Sequence, residues 1–272
     1  MPQSMIPNQY RAYTTPMTWE QLDRMTPIRL DQHTFDVGQT GSGKSTMMEL
    51  KIVSLTRRLN RQQVPVRNFV QLVIDTKDTP HGVDWSRGNF SFPGAVRIHR
   101  WRDFHPERGL ARIWIYRPDP QGDEMDPASF RQLFDHLRQL KLVKAGQRLS
   151  EAGLLPMRIY IDELKDVVGT ETSHNVYLAS LADLLTQGRS TWQTLFVATQ
   201  NPIYLDSDIR RQMQVKFSFY LDSVDDRDIM ARQMGVRDIK LPIPDPHGFW
   251  YSNRLLEELR GRAVYFSGRI RH

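Results

Sequence analysis

The stretch that most constrains this chain is Gly38-Gln39-Thr40-Gly41-Ser42-Gly43-Lys44-Ser45-Thr46. A glycine, four free positions and then Gly-Lys-Ser is the spacing of a phosphate loop. The residue types follow from the ligand. Glycines let successive backbone N–H groups converge on phosphate oxygens without a Cβ in the way, and the next helix offers its partly positive N-terminus to the same anion. Lys44 is placed to reach the β and γ phosphates, and the Ser45 hydroxyl to sit on Mg²⁺, a cation that takes oxygen ligands. The flanks agree. Phe35 and Val37 alternate as in a short strand, and Met48, Ile52, Leu55 and Leu59 fall on one helical face. Strand, glycine loop and helix together predict a bound nucleoside triphosphate.

Composition bounds the rest. At 272 residues the chain can bury a substantial core, as one large α/β domain or two small ones. It has no cysteine, which excludes disulfides and thiolate metal sites and is compatible with a reducing compartment. No apolar run has the length of a bilayer span, and Met1 to Tyr10 lack the charged-then-apolar plan of a signal peptide. The expectation is a soluble, cytoplasmic protein with no membrane span. Lys plus Arg number 37 against 31 Asp plus Glu, a net charge of +6. That balance suits a polyanionic partner and equally a merely solvated positive surface.

Residues 1–29, rich in Pro, Gln and Thr, read as an N-terminal arm with one short helix from Trp19 to Met25 that Thr18 can cap; the main domain then covers 30–272. Phe69 to Asp75 is a second buried strand, leading into Thr76-Lys77. From Pro80 to Gly109 the periodicity fails, and Trp85, Phe90, Phe92, Trp101 and Phe104 interleave with Arg87, Arg97, Arg100, Arg102 and Arg108. Such a mixture tracks nucleic acid in some proteins and in others is an insertion packing its own aromatics. His81, His99 and His105 in this stretch match no metal template. Arg112 to Tyr116 is a strand, and Phe130 to Val143 an amphipathic helix with a basic end at Arg138, Lys141 and Lys144. Those cations can face DNA or complement the helix dipole.

Met157 to Ile161 forms a strand ending in Asp162-Glu163, the second chemical landmark. Downstream of a phosphate loop this is a Walker B arrangement: Asp162 holds the Mg²⁺ water shell, and Glu163 orients the attacking water or accepts its proton. A helix bearing Leu178, Leu181 and Leu185 runs into Gln187-Gly188-Arg189-Ser190, and Thr194 to Thr199 form a strand with the polar tip Gln200-Asn201-Pro202. In additional-strand P-loop ATPases that strand lies between the loop strand and the acidic strand, which sets Gln200 beside the γ-phosphate. Val215 to Leu221 and Gly261 to Ser267 read as further strands, with a helix from Ser223 to Met234 and a basic tail at Arg269, Arg271 and His272. The alternation implies a mainly parallel sheet with helices on both faces.

With these residues in hand, the chain resembles the motor domain of the FtsK/HerA superfamily of ring-forming, DNA-translocating ATPases, from about Leu30 to Gly268. Besides the loop, the likeness rests on Ile74-Asp75-Thr76-Lys77, where the family often has Asp-Pro-Lys, and on Ile161-Asp162-Glu163 and Gln187-Gly188-Arg189. It continues through Ala198-Thr199-Gln200-Asn201-Pro202 and the strand leading to Asp222-Ser223 and Arg227. The resemblance implies a RecA-like, additional-strand P-loop NTPase, a three-layer α/β sandwich with a mainly parallel central sheet. It makes Gly38 to Thr46 the ATP-binding loop, Ser45 and Asp162 the Mg²⁺ residues, and Lys44, Glu163 and Gln200 the cis catalytic residues. Arg189 becomes an arginine finger reaching a neighbouring subunit, with Arg210 and Arg211 as alternatives. Implied partners are double-stranded DNA, further copies in a hexameric or pentameric ring, and a capsid vertex or portal protein. A bare motor of this kind is similar to viral and phage genome-packaging ATPases. Asp36 interrupts a strand that is usually more apolar, Thr76 replaces a proline, and the insertion at about 80–110 has no counterpart. Two other classes stay open: a nucleotide-driven ATPase for protein assembly, secretion or conjugation, and a P-loop kinase, against which Glu163 and Thr199-Gln200 speak.

Overall fold

The computed structural model describes residues 12–13, 15–76, 90–118, 127–144, 146–168, 174–205, 207–235, 247–254 and 263–267. Lys77, residues 80–89 of the insertion, Gly261 and the basic tail lie outside them, as does the side chain of Leu178. The elements run β1 Ala12–Tyr13, α1 Trp19–Met25, β2 Thr34–Val37, α2 Lys44–Arg61, β3 Val70–Ile74, β4 Val96–Ile98 and β5 Ile113–Tyr116. Then follow α3 Pro127–Leu137, β6 Lys141–Leu142, β7 Gly153–Leu154, β8 Met157–Ile161, α4 Leu164–Val168 and α5 His174–Thr191. The chain closes with β9 Gln193–Thr199, α6 Ser207–Gln212, β10 Val215–Ser218, α7 Val224–Gln233, β11 Phe249–Asn253 and β12 Val264–Phe266. The fold is α/β with a mainly parallel sheet. Two compact units divide it, 1–51 with 198–272, and 52–197, and the chain passes between them inside α2 and inside β9.

In the first unit the strand order is β1-β12-β11-β10-β2. β2 runs parallel to β10 with Phe35 opposite Lys216 and Val37 opposite Ser218, while β11 joins β10 and β12 antiparallel. All four residues of β2 are buried, so Asp36 does not interrupt the strand. The arm is fastened to this unit. Thr18 and Gln21 close a reciprocal capping box at the start of α1. Lys51 on α2 donates to Asp23 Oδ1 at 2.7 Å, to Thr26 O at 2.7 Å and to Thr26 Oγ1 at 2.8 Å. Tyr251 donates its hydroxyl to Pro27 O, and Gln32 its amide to Asn253.

The second unit has the order β9-β8-β3-β5-β4, every pair parallel. Strands of a parallel sheet are covered on both faces, and β3 and β8 are buried at all five positions. Polar side chains within it satisfy one another: Tyr160 donates to Gln71 Oε1 at 2.7 Å, and Gln71 to Thr56 Oγ1 at 2.6 Å. Two expectations shift. The helix expected to reach Val143 stops at Leu137, because Gln193 Nε2 takes the terminal carbonyl of Leu137 at 3.1 Å, and Lys141–Leu142 then pair with Gly153–Leu154. The described part of the insertion supplies an edge strand, β4. Its aromatics go mostly into packing: Phe104 meets Trp114 edge-on at 5.3 Å, and Trp101 tilts against His136 at 5.5 Å. Arg97, Arg100, Arg102 and Arg108 stay exposed.

Candidate functional site

In the first unit the glycine loop is gripped by its neighbours before it turns. Phe219 N donates to Val37 O at 2.7 Å, Gln39 N to Tyr220 O at 2.9 Å, and Gly38 N to Thr199 O at 3.2 Å. Gly38 has no room for a side chain, since a Cβ would stand 2.6 Å from Phe219 Cβ and 2.6 Å from Ser42 Oγ. Gly41 and Gly43 have φ of 77° and 108°, where L side chains are strained. Lys44 is 4% exposed, and its ammonium donates to Gly38 O and to Gln39 O, the latter at 3.1 Å. The Ser42 hydroxyl is buried with no hydrogen-bond partner. Met47 N donates to Gly43 O at 2.9 Å as α2 begins, and the first turn of α2 carries no acidic residue to offset its positive end. Ser45 is half-buried and Thr40 and Thr46 are exposed.

Gln200 follows β9 at the tip and is half-buried. The turn it opens is held from two helices of the same unit. Arg210 Nη1 on α6 donates to Pro202 O at 2.7 Å and to Leu205 O, and Ile203 N donates to Asp226 Oδ1 on α7 at 3.3 Å. Burial raises the Asp226 carboxyl pKa, with the Ile203 N–H pulling the other way. Arg210, an alternative finger by sequence, thus spends a guanidinium nitrogen on its own turn, while Arg211 is exposed.

In the second unit β8 delivers Asp162, fully buried, and Glu163, 6% exposed. Asp162 N donates to Ile74 O at 3.3 Å, and Asp166 N to Glu163 O at 3.2 Å as α4 begins. Beside this acidic turn, Arg117 Nη1 donates to Asp75 Oδ1 and to Asp75 O, each at 3.1 Å, in an ion pair with exposures of 5% and 0%. Thr76 Oγ1 donates to Asp166 Oδ2 at 3.0 Å.

Arg189 lies in the last turn of α5, just before β9 starts. β8 and β9 are parallel with Ile161 opposite Val197, so Arg189 stands at the opposite end of the strands from Asp162 and Glu163. A strand of this length separates them by roughly 16 Å. Gly188 permits the turn into β9, for a Cβ there would fall 2.0 Å from Gln193 O.

The first unit therefore gathers Gly38 to Thr46 and Gln200, and the second gathers Asp162 and Glu163 and holds Arg189 apart from them. Sequence reasoning missed Phe219 and Asp226 around the loop and tip, the anchoring role of Arg210 there, and Arg117 and Asp166 around the acidic turn. No local pattern marks them, because each acts on a partner brought close by tertiary structure. Among the described residues no helix is long and apolar enough to cross a membrane.

No family model matches the chain, and no curated protein matches it. Solved structures do. The genome packaging NTPase B204 of Sulfolobus turreted icosahedral virus 2, in complex with ATP-gammaS, aligns over 88% of this chain and 98% of its own at a TM-score of 0.57 and 12% identity. The DNA-packaging ATPase B204 of Sulfolobus turreted icosahedral virus covers 86% and 96%, with a TM-score of 0.53 and 12% identity. ATPases 2 and 3 of Thermomonospora curvata EccC, bound to a signal sequence peptide, cover 100% of this chain and 43% of theirs, with a TM-score of 0.53 and 13% identity. At these identities the likeness is one of fold, and this chain therefore has the α/β fold, with its mainly parallel sheet, of P-loop ATPases.

Proposed function

We propose that the chain is an oligomeric ATPase that couples hydrolysis to pulling double-stranded DNA, with viral genome packaging as its role. The observation that carries the nucleotide part is the loop itself. Gly38 leaves no space for a Cβ, Gly41 and Gly43 hold left-handed φ, and the Lys44 ammonium is folded back onto the loop's own carbonyls. An anion in the cradle offers that ammonium stronger, charged acceptors than two peptide oxygens. The donor set fits ATP with Mg²⁺, which Ser45 and Asp162 would hold. When bound, the cation neutralises charge on the β and γ phosphates. Glu163 orients the attacking water and takes its proton. Gln200, on its doubly anchored turn, reads the γ-phosphate. Arg189, at the far end of the strands from its own acidic turn, suits a role as finger for a neighbouring subunit in a hexameric or pentameric ring, where such a residue is worth about 10³ to 10⁵ in rate. A capsid vertex or portal protein is the docking partner this role calls for.

The DNA load is supported by the net charge of +6 and by the likeness to two viral packaging ATPases. A protein load is the second reading, favoured by the EccC neighbour with its bound peptide. Phosphate release measured with and without double-stranded DNA, alongside mass in ATP, separates them. Stimulation by DNA in a ring-sized species is expected; indifference to DNA with a response to a protein partner selects the second reading. Glu163→Gln should keep ATP binding and lower turnover by about 100-fold or more. Retained turnover removes Glu163 from the site.

A further inference from the structure

The tip of β3 touches the acidic turn twice in ways the roles above leave unused. Asp75 and Thr76 follow the last residue of the strand that pairs with β8, with Ile74 opposite Ile161. Asp75 is fully buried and immobilised. Its carboxylate and its carbonyl both accept from Arg117 Nη1, its N–H donates to Tyr116 O at 2.9 Å, and Arg117 is tied in turn to Ile98 O at 2.9 Å on the edge strand. A charged pair buried on both sides is rigid, because either partner left alone would keep an unsolvated charge. Thr76, 6% exposed, then extends one hydroxyl to Asp166 Oδ2 at 3.0 Å.

Asp166 is three residues beyond Glu163 in a helix of only five residues, and its N–H donates to Glu163 O at 3.2 Å. So short a helix has little intrinsic persistence and takes its orientation from what it is tied to. Asp162 N, on the other side of Glu163, donates to Ile74 O. Glu163 is thus bracketed by two bonds that end on adjacent segments of the same strand tip, one at Ile74 and one at Thr76.

We propose that Thr76 and Asp166 are positioning residues for hydrolysis: their bond, braced by the Arg117–Asp75 pair, fixes α4 so that the Glu163 carboxylate is held in its working orientation. This rests on the ATPase reading. Misplacing a catalytic group by about 1 Å can cost on the order of 10²-fold in rate without changing affinity. The consequence is a kcat effect with no matching loss of nucleotide binding.

The test is Thr76→Val, which removes the hydroxyl at nearly constant shape, with Asp166→Ala approaching the bond from its other end and Thr76→Ser restoring the donor. ATP turnover gives kcat and KM, a fluorescent ATP analogue with Mg²⁺ gives affinity, and thermal unfolding reports integrity. The expected result is a fall in kcat of about tenfold or more for Thr76→Val and for Asp166→Ala, affinity within about twofold, and Thr76→Ser within about threefold of wild type. In single-turnover measurements Thr76→Val should add little to Glu163→Gln, since both act through one carboxylate. Wild-type turnover by Thr76→Val, an equal loss of affinity and rate, or additivity with Glu163→Gln overturns the proposal and leaves the ATPase reading standing. A wild-type protein that binds but never hydrolyses ATP overturns that reading, and the positioning role with it.

Discussion

Lys216 is the residue whose chemistry is most at odds with its surroundings. It is fully buried on β10, opposite Phe35 on one side and Ser252 on the other, and its ammonium donates to Met213 O. Burial, helped by the charge of Arg254, lowers its pKa to about 7. The folded value lies below the unfolded one, so between pH 7 and about 10.4 the unfolded chain binds more protons and stability rises with pH. Below about 7 both states are charged and the destabilisation is complete and constant. Lys216→Met should therefore flatten the rise in urea-unfolding free energy between pH 7 and 9.5, and at pH 7 raise stability by on the order of 2 kcal/mol. Parallel pH profiles for the two proteins would remove Lys216 as the cause. Its position beside the loop-bearing strand was visible in the sequence only as one more lysine in a strand. Lys44, by contrast, was legible at once, because the glycines that surround it are its local neighbours.

Among the elements, the ends were harder to read than the middles. The apolar runs of β3 and β8 and the capped start of α1 were clear, since each is specified by contiguous residues or by a pair three apart. The end of α3 was not, because the amide that takes its last carbonyl is Gln193, 56 positions away. β1 and β11 escaped notice for a related reason: two residues in one case, and in the other a run mixing Ser252 and Asn253 with aromatics. The junction between α5 and β9 depends on Gly188 for space rather than for dihedral freedom. Gly188→Ala would drive a methyl into the backbone oxygen of Gln193, 2.0 Å away, and should cost about 3 kcal/mol or more. Thermal unfolding checks this, and a midpoint within a degree of wild type would show that the junction relaxes freely. Asp23→Ala should cost about 1 to 3 kcal/mol by leaving buried Lys51 without its carboxylate.

Over the whole molecule, the second unit has a chemically distinct rim. Its parallel strands begin at one end, and the segments that lead into them carry exposed cations: Arg67 before β3, Arg108 before β5, and Lys141, Lys144 and Arg148 before β8. Leu110, Leu149 and Trp192 are exposed there too, at 65%, 69% and 51%. A DNA load would meet such a rim through its phosphates, with an affinity that falls as salt rises. Replacing Lys141, Lys144 and Arg148 with Gln should weaken DNA binding uniformly across sequences. The slope of log affinity against log salt should shrink by about 2 to 3, with basal ATP turnover unchanged. An unaltered slope would move the DNA contacts elsewhere on the chain.

The sequence by itself determined the phosphate loop, the acidic strand and the alternation that makes a P-loop fold, because each is written in residues close together or in one hydrophobic period. Only the tertiary structure decided how the loop is gripped by Phe219 and Tyr220, and which polar groups anchor the Gln200 turn. It also decided that the acidic turn is braced by Thr76 and Arg117. Those contacts join segments far apart in the chain, and their residue types carry no periodic or local signature until the parallel strands bring their tips together.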